Sequence, residues 1–404
     1  MLHALRRQAS LSAVTAGLIA VTVSYTGPLA ILVQAARAAR LDEAQLSSWI
    51  WAISIGSGLT GILLSAATRA PIITAWSTPG AALLVTALPL YTFPQAVGAY
   101  LLSAALLTLF GLTGLFERAM ARLPIGLVAA MLAGILFKFS AAVLTSLGEW
   151  PGLVLPLVAT FFAARRWLPR YAVVLTLLLG AAIVWGAGRV DLSHVRPALA
   201  VPVFTWPELS MPALVGLGLP LFLVTLTSQN ATGMGVLRAA GYTVPASPLV
   251  TVTGLASLLL APFGCHALNL AAITAAICTG PEAHADRDRR WVAGVACGAF
   301  YVVVGLFGAT LALAFGALPD ALITTLGGLA LLGALTGGLA TAMTEERTRE
   351  GAITTFVVTA SGVSFLGVGA AFWGLVGGGA VHLLLTWRRA AAGPPAATGA
   401  GPAR

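Results

Sequence analysis

The sequence predicts an all-α polytopic membrane protein with about 14 transmembrane segments in two inverted seven-segment repeats, carrying half-helices and short extended stretches in segments 3 and 10. Three observations lead there. Of 404 residues, 58% are hydrophobic and only 9% charged, and mean hydropathy is +0.94; soluble domains carry about a quarter charged residues. Prolines, glycines and charge clusters cut the chain into apolar stretches of membrane-crossing size. The second half of the chain also repeats features of the first.

In chain order the stretches are 12–35, 46–67, 71–87, 94–116, 123–145, 150–164, 170–188, 211–230, 246–261, 264–279, 290–315, 319–341, 350–368 and 370–387. The start, MLHALRRQASLSAVTAGLIAV, has the basic residues and apolar run of a signal peptide. The run continues to Val33 and is the first of many, so it reads as an uncleaved first span. Several later stretches are shorter than the roughly 20 residues of a full crossing. The tail, 390–404, is rich in Ala, Gly and Pro and reads as disordered and cytoplasmic.

Charge placement sets the topology. With a cytoplasmic amino terminus, Arg6, Arg7, Arg69, Arg118, Arg122, Arg165, Arg166, Arg170, Arg238, Arg287, Arg289, Arg290, Arg347, Arg349, Arg388, Arg389 and Arg404 face inward, and only Arg37, Arg40, Arg189 and Arg196 face outward. That asymmetry predicts an even number of spans with both termini cytoplasmic. It also accounts for the net charge of +9 without a nucleic-acid partner, because the arginines are scattered between apolar segments. The one remaining cation, Lys138, lies inside an apolar span. It either attracts a carboxylate or lines an exit path, or else it snorkels or pairs with a helix end.

Cys265, Cys278 and Cys297 lie in or beside apolar segments, with no CxxC pair or Cys/His cluster; they read as small core residues, and no metal is expected. The histidine of GPEAHADRDRR, His284, belongs to a charged loop and makes no metal site. No nucleotide-binding lysine motif or other enzyme signature is present. A non-enzyme without cofactor is therefore expected, with an ion gradient as energy source.

The repeat is legible in two places. SYTGPLAILVQAARA from Ser24 echoes SQNATGMGVLRAAGY from Ser228, and PIITAWSTPGAALL from Pro71 echoes PFGCHALNLAAITA from Pro262. The second pairing sets Asn269 at the position of Thr78. With seven spans per half, the second copy enters the membrane from the opposite side, and interrupted segments at matching positions point to the site of a secondary transporter.

Within TAWSTPGAALL, Pro79 suits a first helical turn, Ser77 or Thr78 can cap it, and Gly80 permits close approach of backbone or ligand. The segment reads as an extended stretch followed by a half-helix whose positive end lies inside the membrane. Two such ends aimed at one point favour an anion. All thirteen Asp and Glu residues fall in loops or near span ends, so no carboxylate opposes one. Ser228, Gln229 and Asn230 need polar partners in a bilayer, as interhelical glue or as substrate contacts, and Asn269 is open to the same two readings. Tyr25 and Trp76 offer flat apolar surface for a ring, or pack in the core. His266 either relays a proton or is a structural histidine bonded within the core.

ITAWSTPGAALLVTAL, LPLFLVTLTSQNATG, NLAAITAAIC followed by PEAHAD, and VTASGVSFLGVGAAFWGL resemble the bacterial benzoate/proton symporter family over residues 10–388. The resemblance implies import of benzoate or a close aromatic carboxylate by proton symport across the bacterial inner membrane. The family's relation to nucleobase and sulfate-type transporters implies a core, 12–116 and 211–316, moving against a gate, 117–210 and 317–389, and a homodimer through the gate surfaces. In the nucleobase relatives, acidic side chains of the eighth and tenth spans hold substrate and handle protons; this chain has Gln229, Asn230, His266 and Asn269 in those neighbourhoods. That departure suits an anionic substrate and leaves two proton routes, His266 or the substrate's own carboxyl. The expected substrate site is Ser24, Tyr25, Trp76, Ser77, Thr78, Gly80, Gln229, Asn230, His266 and Asn269. The competing expectations are an anion channel or uniporter, and a carrier of nucleobases or other organic anions on the same fold.

Overall fold

The computed structural model describes residues 10–391 apart from 27, 117, 119–124, 191, 192, 194, 282 and 367. The expected disordered tail lies, from residue 392 onward, outside the described residues. Among the described residues, eight helices are long and apolar enough to cross a membrane. The first such unit, Leu11–Ala38, comprises α1 (Leu11–Thr26) and α2 (Pro28–Ala38). Next come α3 (Glu43–Thr68), β1 (Thr74–Trp76), α4 (Thr78–Ala87), α5 (Phe93–Leu112), α6 (Ile125–Glu149), α7 (Pro151–Trp167) and α8 (Ala172–Gly186). The second half carries α9 (Met211–Arg238), α10 (Ala246–Leu260), β2 (Leu268–Leu270), α11 (Ile273–Thr279), α12 (Trp291–Leu306), α13 (Gly308–Gly316), α14 (Asp320–Ala342), α15 (Arg349–Ser361) and α16 (Ala370–Ala391).

Local sequence explains where elements begin. Asp42 caps α3 in a reciprocal box with Gln45, and Thr92 caps α5 with Gln95 in the same way. The stretch 290–315, expected as one span, is two helices broken at Phe307. The break lets Gly308 lie against α3, where an added Cβ would meet Ser47 O at 3.1 Å. Helix α9 is continuous but holds two π-helical stretches, Leu214–Gly218 and Thr225–Asn230. Pro220, between them, supplies no N–H to the ladder.

Small residues let the helices approach without a hydrophobic drive between them. A Cβ on Gly58 of α3 would lie 2.6 Å from Gly298 O of α12, and one on Gly298 would lie 2.5 Å from Gly58 O. Helices α3 and α1 both pack on α12, and α5 packs on α10 and α9. Separately, α6 packs on α14, α15 and α16, and α7 packs on α8 and α14. Contacts of α2 with α14, and of α4 with α6, join these two sets.

Segments 3 and 10 each contain an extended stretch followed by a short helix. At 1.5 Å per residue the ten residues of α4 span about 15 Å, half of a bilayer core. The strands pair antiparallel, with Thr74 opposite Leu270, Ala75 opposite Asn269 and Trp76 opposite Leu268. The strands therefore align Asn269 with Ala75, the middle residue of β1. Strand β2 starts six residues after Pro262 and β1 three after Pro71, with the left-handed Gly264 in the longer lead-in.

Candidate functional site

Extended backbone inside a bilayer is tolerated only when its polar groups find partners, and here neighbouring helices supply them. Leu268 N–H donates to Ser257 Oγ (2.8 Å) and Leu270 N–H to Asn230 Oδ1 (3.0 Å). On the other strand Thr74 Oγ1 donates to Ser57 O (2.6 Å) and is 2.9 Å from Thr60 Oγ1. The ladder continues past the strands, with Ser77 N–H to Ala267 O (3.0 Å) and Ala271 N–H to Ile73 O (2.9 Å).

Ser77 is the N-cap of α4. Its extended backbone (φ −73°, ψ 98°) frees the hydroxyl to accept from Gly80 N–H at 3.0 Å. Thr225 Oγ1, on the second π-helical stretch of α9, donates to the same hydroxyl at 3.3 Å. Gly80 is packed tightly, since a Cβ there would come within 2.7 Å of Leu221 Cδ1. Asn269, with its amide turned so that oxygen meets donor and nitrogen meets acceptor, accepts from Ser77 N–H (2.9 Å) and donates to Leu270 O (3.0 Å).

His266 is fully buried. Trp49 Nε1–H, which can only donate, points to its Nδ1 at 3.1 Å, and Ser77 O, which can only accept, is 3.0 Å from its Nε2. Those two partners specify the neutral tautomer with the proton on Nε2. The ring thus braces α3 against the start of α4.

Ser24 and Tyr25 are similarly engaged. Tyr301 Oη donates to Ser24 Oγ (2.6 Å) and Tyr25 Oη to Ser54 Oγ (2.5 Å), while Ser54 in turn donates to Ile50 O. Tyr25, Trp76 and Tyr301 form an aromatic trio, with ring centroids 4.9 Å apart for Tyr25–Trp76 and 5.8 Å for each of the other two pairs.

The ten expected residues therefore fall into two sets. Ser24, Tyr25, Ser77, His266 and Asn269 use their polar atoms on the protein, and Gly80 contributes packing. The others keep polar atoms without a protein partner: the buried Trp76 Nε1 and Asn230 Nδ2, and the half-buried side chains of Thr78 and Gln229. Thr78 opens α4, and Gln229 and Asn230 close the π-helical stretch whose Thr225 reaches Ser77. No carboxylate belongs to these elements, since the sequence holds no Asp or Glu between Glu43 and Glu117 or between Glu208 and Glu282. No cluster of metal-ligating side chains occurs among the described residues. Neutral unpartnered donors beside aromatic faces are the chemistry that matches an anionic group attached to a flat ring.

Reading the sequence missed Trp49, Ser54, Thr225 and Tyr301. Ser54 and Ser57, hydroxyls three apart in the apolar run WAISIGSG of α3, were a usable signal. Trp49 and Tyr301 carry none, because an aromatic in an apolar span looks the same whether or not it holds a partner.

Comparison with known proteins bears on the whole chain. Its fold is similar to that of SLC26A9, with a TM-score of 0.62 at 13% identity, covering 93% of this chain and 66% of that one. It is also similar to the transmembrane domain of the cyanobacterial bicarbonate transporter BicA, with a TM-score of 0.54 at 15% identity over 93% and 97% of the two chains. In sequence it is 43% identical to the inner membrane protein YdcO of Escherichia coli over 92% of this chain and 95% of that protein. It is 41% identical to the benzoate membrane transport protein of Acinetobacter baylyi over 95% and 98%. The family model described as benzoate membrane transport protein matches residues 7–384. With that match running through both halves of the fold and every element of the site, the chain belongs to the benzoate membrane transport protein family and is a membrane transporter, not an enzyme.

Proposed function

We propose that the protein imports benzoate or a similar aromatic carboxylate by proton symport across the bacterial inner membrane, with both termini cytoplasmic and no cofactor beyond the proton gradient. The observation that carries this reading is the set of unpartnered donors on Trp76 at the end of β1, Thr78 at the start of α4, and Gln229 and Asn230 of α9, with an aromatic trio at Trp76 and no carboxylate in these elements. The carboxylate would accept from Thr78 and the two amides, assisted by the positive end of α4. The ring would lie against Trp76 and Tyr25. The relative named for benzoate transport supports the substrate class.

Fourteen segments in two inverted repeats, with α1–α5 and α9–α13 as core and α6–α8 and α14–α16 as gate, would give alternating access; the packing of α6 on α14–α16, apart from α3 on α12, supports that division. A dimer through gate surfaces is the corresponding assembly. His266, with both nitrogens engaged, serves this scheme as a brace for α4, and the proton travels on the substrate carboxyl. The test is radiolabelled benzoate uptake into proteoliposomes with and without an inward proton gradient, against protein-free liposomes. Accumulation above equilibrium that a protonophore abolishes supports symport. Flux that only equilibrates assigns a channel or uniporter, uracil competition assigns a nucleobase carrier, and no protein-dependent flux removes benzoate as substrate.

A further inference from the structure

Away from the ends of the two strands, a cleft of about 410 Å³, counting its solvent-open part, lies between the carboxyl-terminal half of α4 and the helices α6, α15 and α16. Leu83 and Ala87 of α4 form one wall, and Lys138 of α6 and Thr359 of α15 stand on the other. Lys138 is the only lysine in the sequence. It makes no hydrogen bond or ion pair with any described residue, and α6 holds no acidic residue before its last, Glu149. Thr359 is 4% exposed, yet its hydroxyl has no partner.

The backbone is shaped around the ammonium group. Gly362, the residue after α15, has φ +72°, and a Cβ at that position would overlap Lys138 Nζ. An ammonium inside an apolar span is costly without a counter-charge. The carboxyl-terminal dipole of α15 offers only partial compensation, and Nζ makes no hydrogen bond to a carbonyl of the described residues there. An unpaired cation on one wall, facing an apolar wall of α4, presents a site for an anion with an apolar body.

We propose that this cleft is a second carboxylate station, distinct from the site at the start of α4, in which Lys138 holds the carboxylate and the ring lies on Leu83 and Ala87. As a stop on the substrate's route it rests on the aromatic-carboxylate reading above. Because the station joins α4 to α6 and α15, its occupancy also changes what these two sets of helices present to each other.

The sole lysine permits a test on the unaltered protein. Reductive methylation with formaldehyde is followed at Lys138 by mass spectrometry, in the presence of benzoate, the uncharged benzamide, or acetate. Benzoate at ten times its half-saturating concentration is expected to slow methylation about tenfold, while benzamide leaves it unchanged and acetate protects only weakly. Equal methylation with and without benzoate overturns the proposal. So does equal protection by benzamide, which would assign the effect to a conformational change or to simple occlusion. Uptake by wild-type proteoliposomes is measured separately: protection without uptake sinks the transport reading and keeps the station, and uptake without protection does the reverse. In the variants, Lys138→Gln is expected to raise the KM for uptake about tenfold, equivalent to about 1.4 kcal/mol, with the maximal rate nearly unchanged and Lys138→Arg close to wild type. A fall in maximal rate with unchanged KM would make Lys138 structural and overturn the proposal.

Discussion

Thr78 and Ser77 are adjacent, both hydroxylated, and occupied differently, so exchanging each for its hydroxyl-free counterpart separates binding from folding. Ser77 accepts from Gly80 N–H at 3.0 Å and from Thr225 Oγ1 at 3.3 Å; the Thr78 side chain has no hydrogen bond to the protein and is half-buried. Removing an N-cap hydroxyl costs about 1 kcal/mol, within a range of roughly 0.5–2, and Ser77→Ala also orphans the Thr225 hydroxyl. Thr78→Val keeps shape and β-branching, breaks no protein bond, and is expected to leave stability within about 0.5 kcal/mol of wild type. In the binding reading it removes a hydrogen bond to a charged group, worth about 1.5–3 kcal/mol, which is about 10- to 150-fold in apparent affinity. The assay is the KM for benzoate from initial uptake rates in proteoliposomes, set beside the melting temperature of each variant in detergent. Thr78→Val should shift KM and leave melting alone, while Ser77→Ala should lower melting. A Thr78→Val protein with wild-type KM would refute the placement of the carboxylate at the start of α4.

Three further outcomes follow from the same geometry. His266→Gln, which can still accept from Trp49 and donate to Ser77, should keep protonophore-sensitive accumulation; a stable variant that exchanges benzoate but no longer accumulates it would put the proton on His266. Arg37 pairs with Asp320, and its other nitrogen reaches Phe315 O, Gly316 O and Leu318 O at 3.1–3.3 Å. The Asp320 side chain is 82% exposed, so Asp320→Asn should cost under about 1 kcal/mol and Arg37→Ala more, a ranking that thermal unfolding of the two variants checks. Gly298→Ala drives a methyl to 2.5 Å from Gly58 O, an overpacking cost of about 1–3 kcal/mol, expected as a lowered melting temperature and loss of monodisperse protein on size exclusion; unchanged behaviour would mean that α3 and α12 can separate freely.

Much of this site was legible because a membrane punishes unexplained polarity. Four consecutive residues, Ser77 to Gly80, marked the place where a helix starts inside the bilayer, and the structure has that start with Ser77 as its cap. The polar run Ser228–Gln229–Asn230 marked the facing helix, although its π-helical winding left no trace in periodicity. The register between the strands was not legible. Two prolines align the segments as repeats, but nothing in the sequence states that the two extended stretches pair with each other, Ala75 opposite Asn269. Nor could composition say which polar atoms were already engaged. His266 looks free in the sequence because its donor, Trp49, stands 217 residues away on another helix, and such separations are fixed by packing alone.

The division between engaged and unengaged groups also constrains how a charge can cross. A carboxylate leaving water loses hydration worth several kcal/mol even after relaxation in real proteins, and the wall near α4 offers neutral donors and a helix end in return. Neutral donors return about 1.5–3 kcal/mol each to a charged acceptor, enough to hold an anion at rest with three or four of them. A pocket built this way still favours any event that lowers the charge before the donors let go. Protonation of the carboxylate is such an event. It needs no titrating side chain in the wall, which fits a site whose one histidine has both nitrogens bonded to protein and whose flanking segments contain no acid. In the proposed symport, coupling would lie in the substrate: the gradient would set how often the bound anion becomes the acid, and the acid, no longer matched to the donors, would depart on the other side. Benzenesulfonate, a flat anion that stays ionised at any physiological pH, separates this scheme from a side-chain relay. It should compete for the pocket and bind, yet fail to accumulate under an imposed proton gradient. Proton-driven accumulation of the sulfonate would show that the protein itself carries the proton.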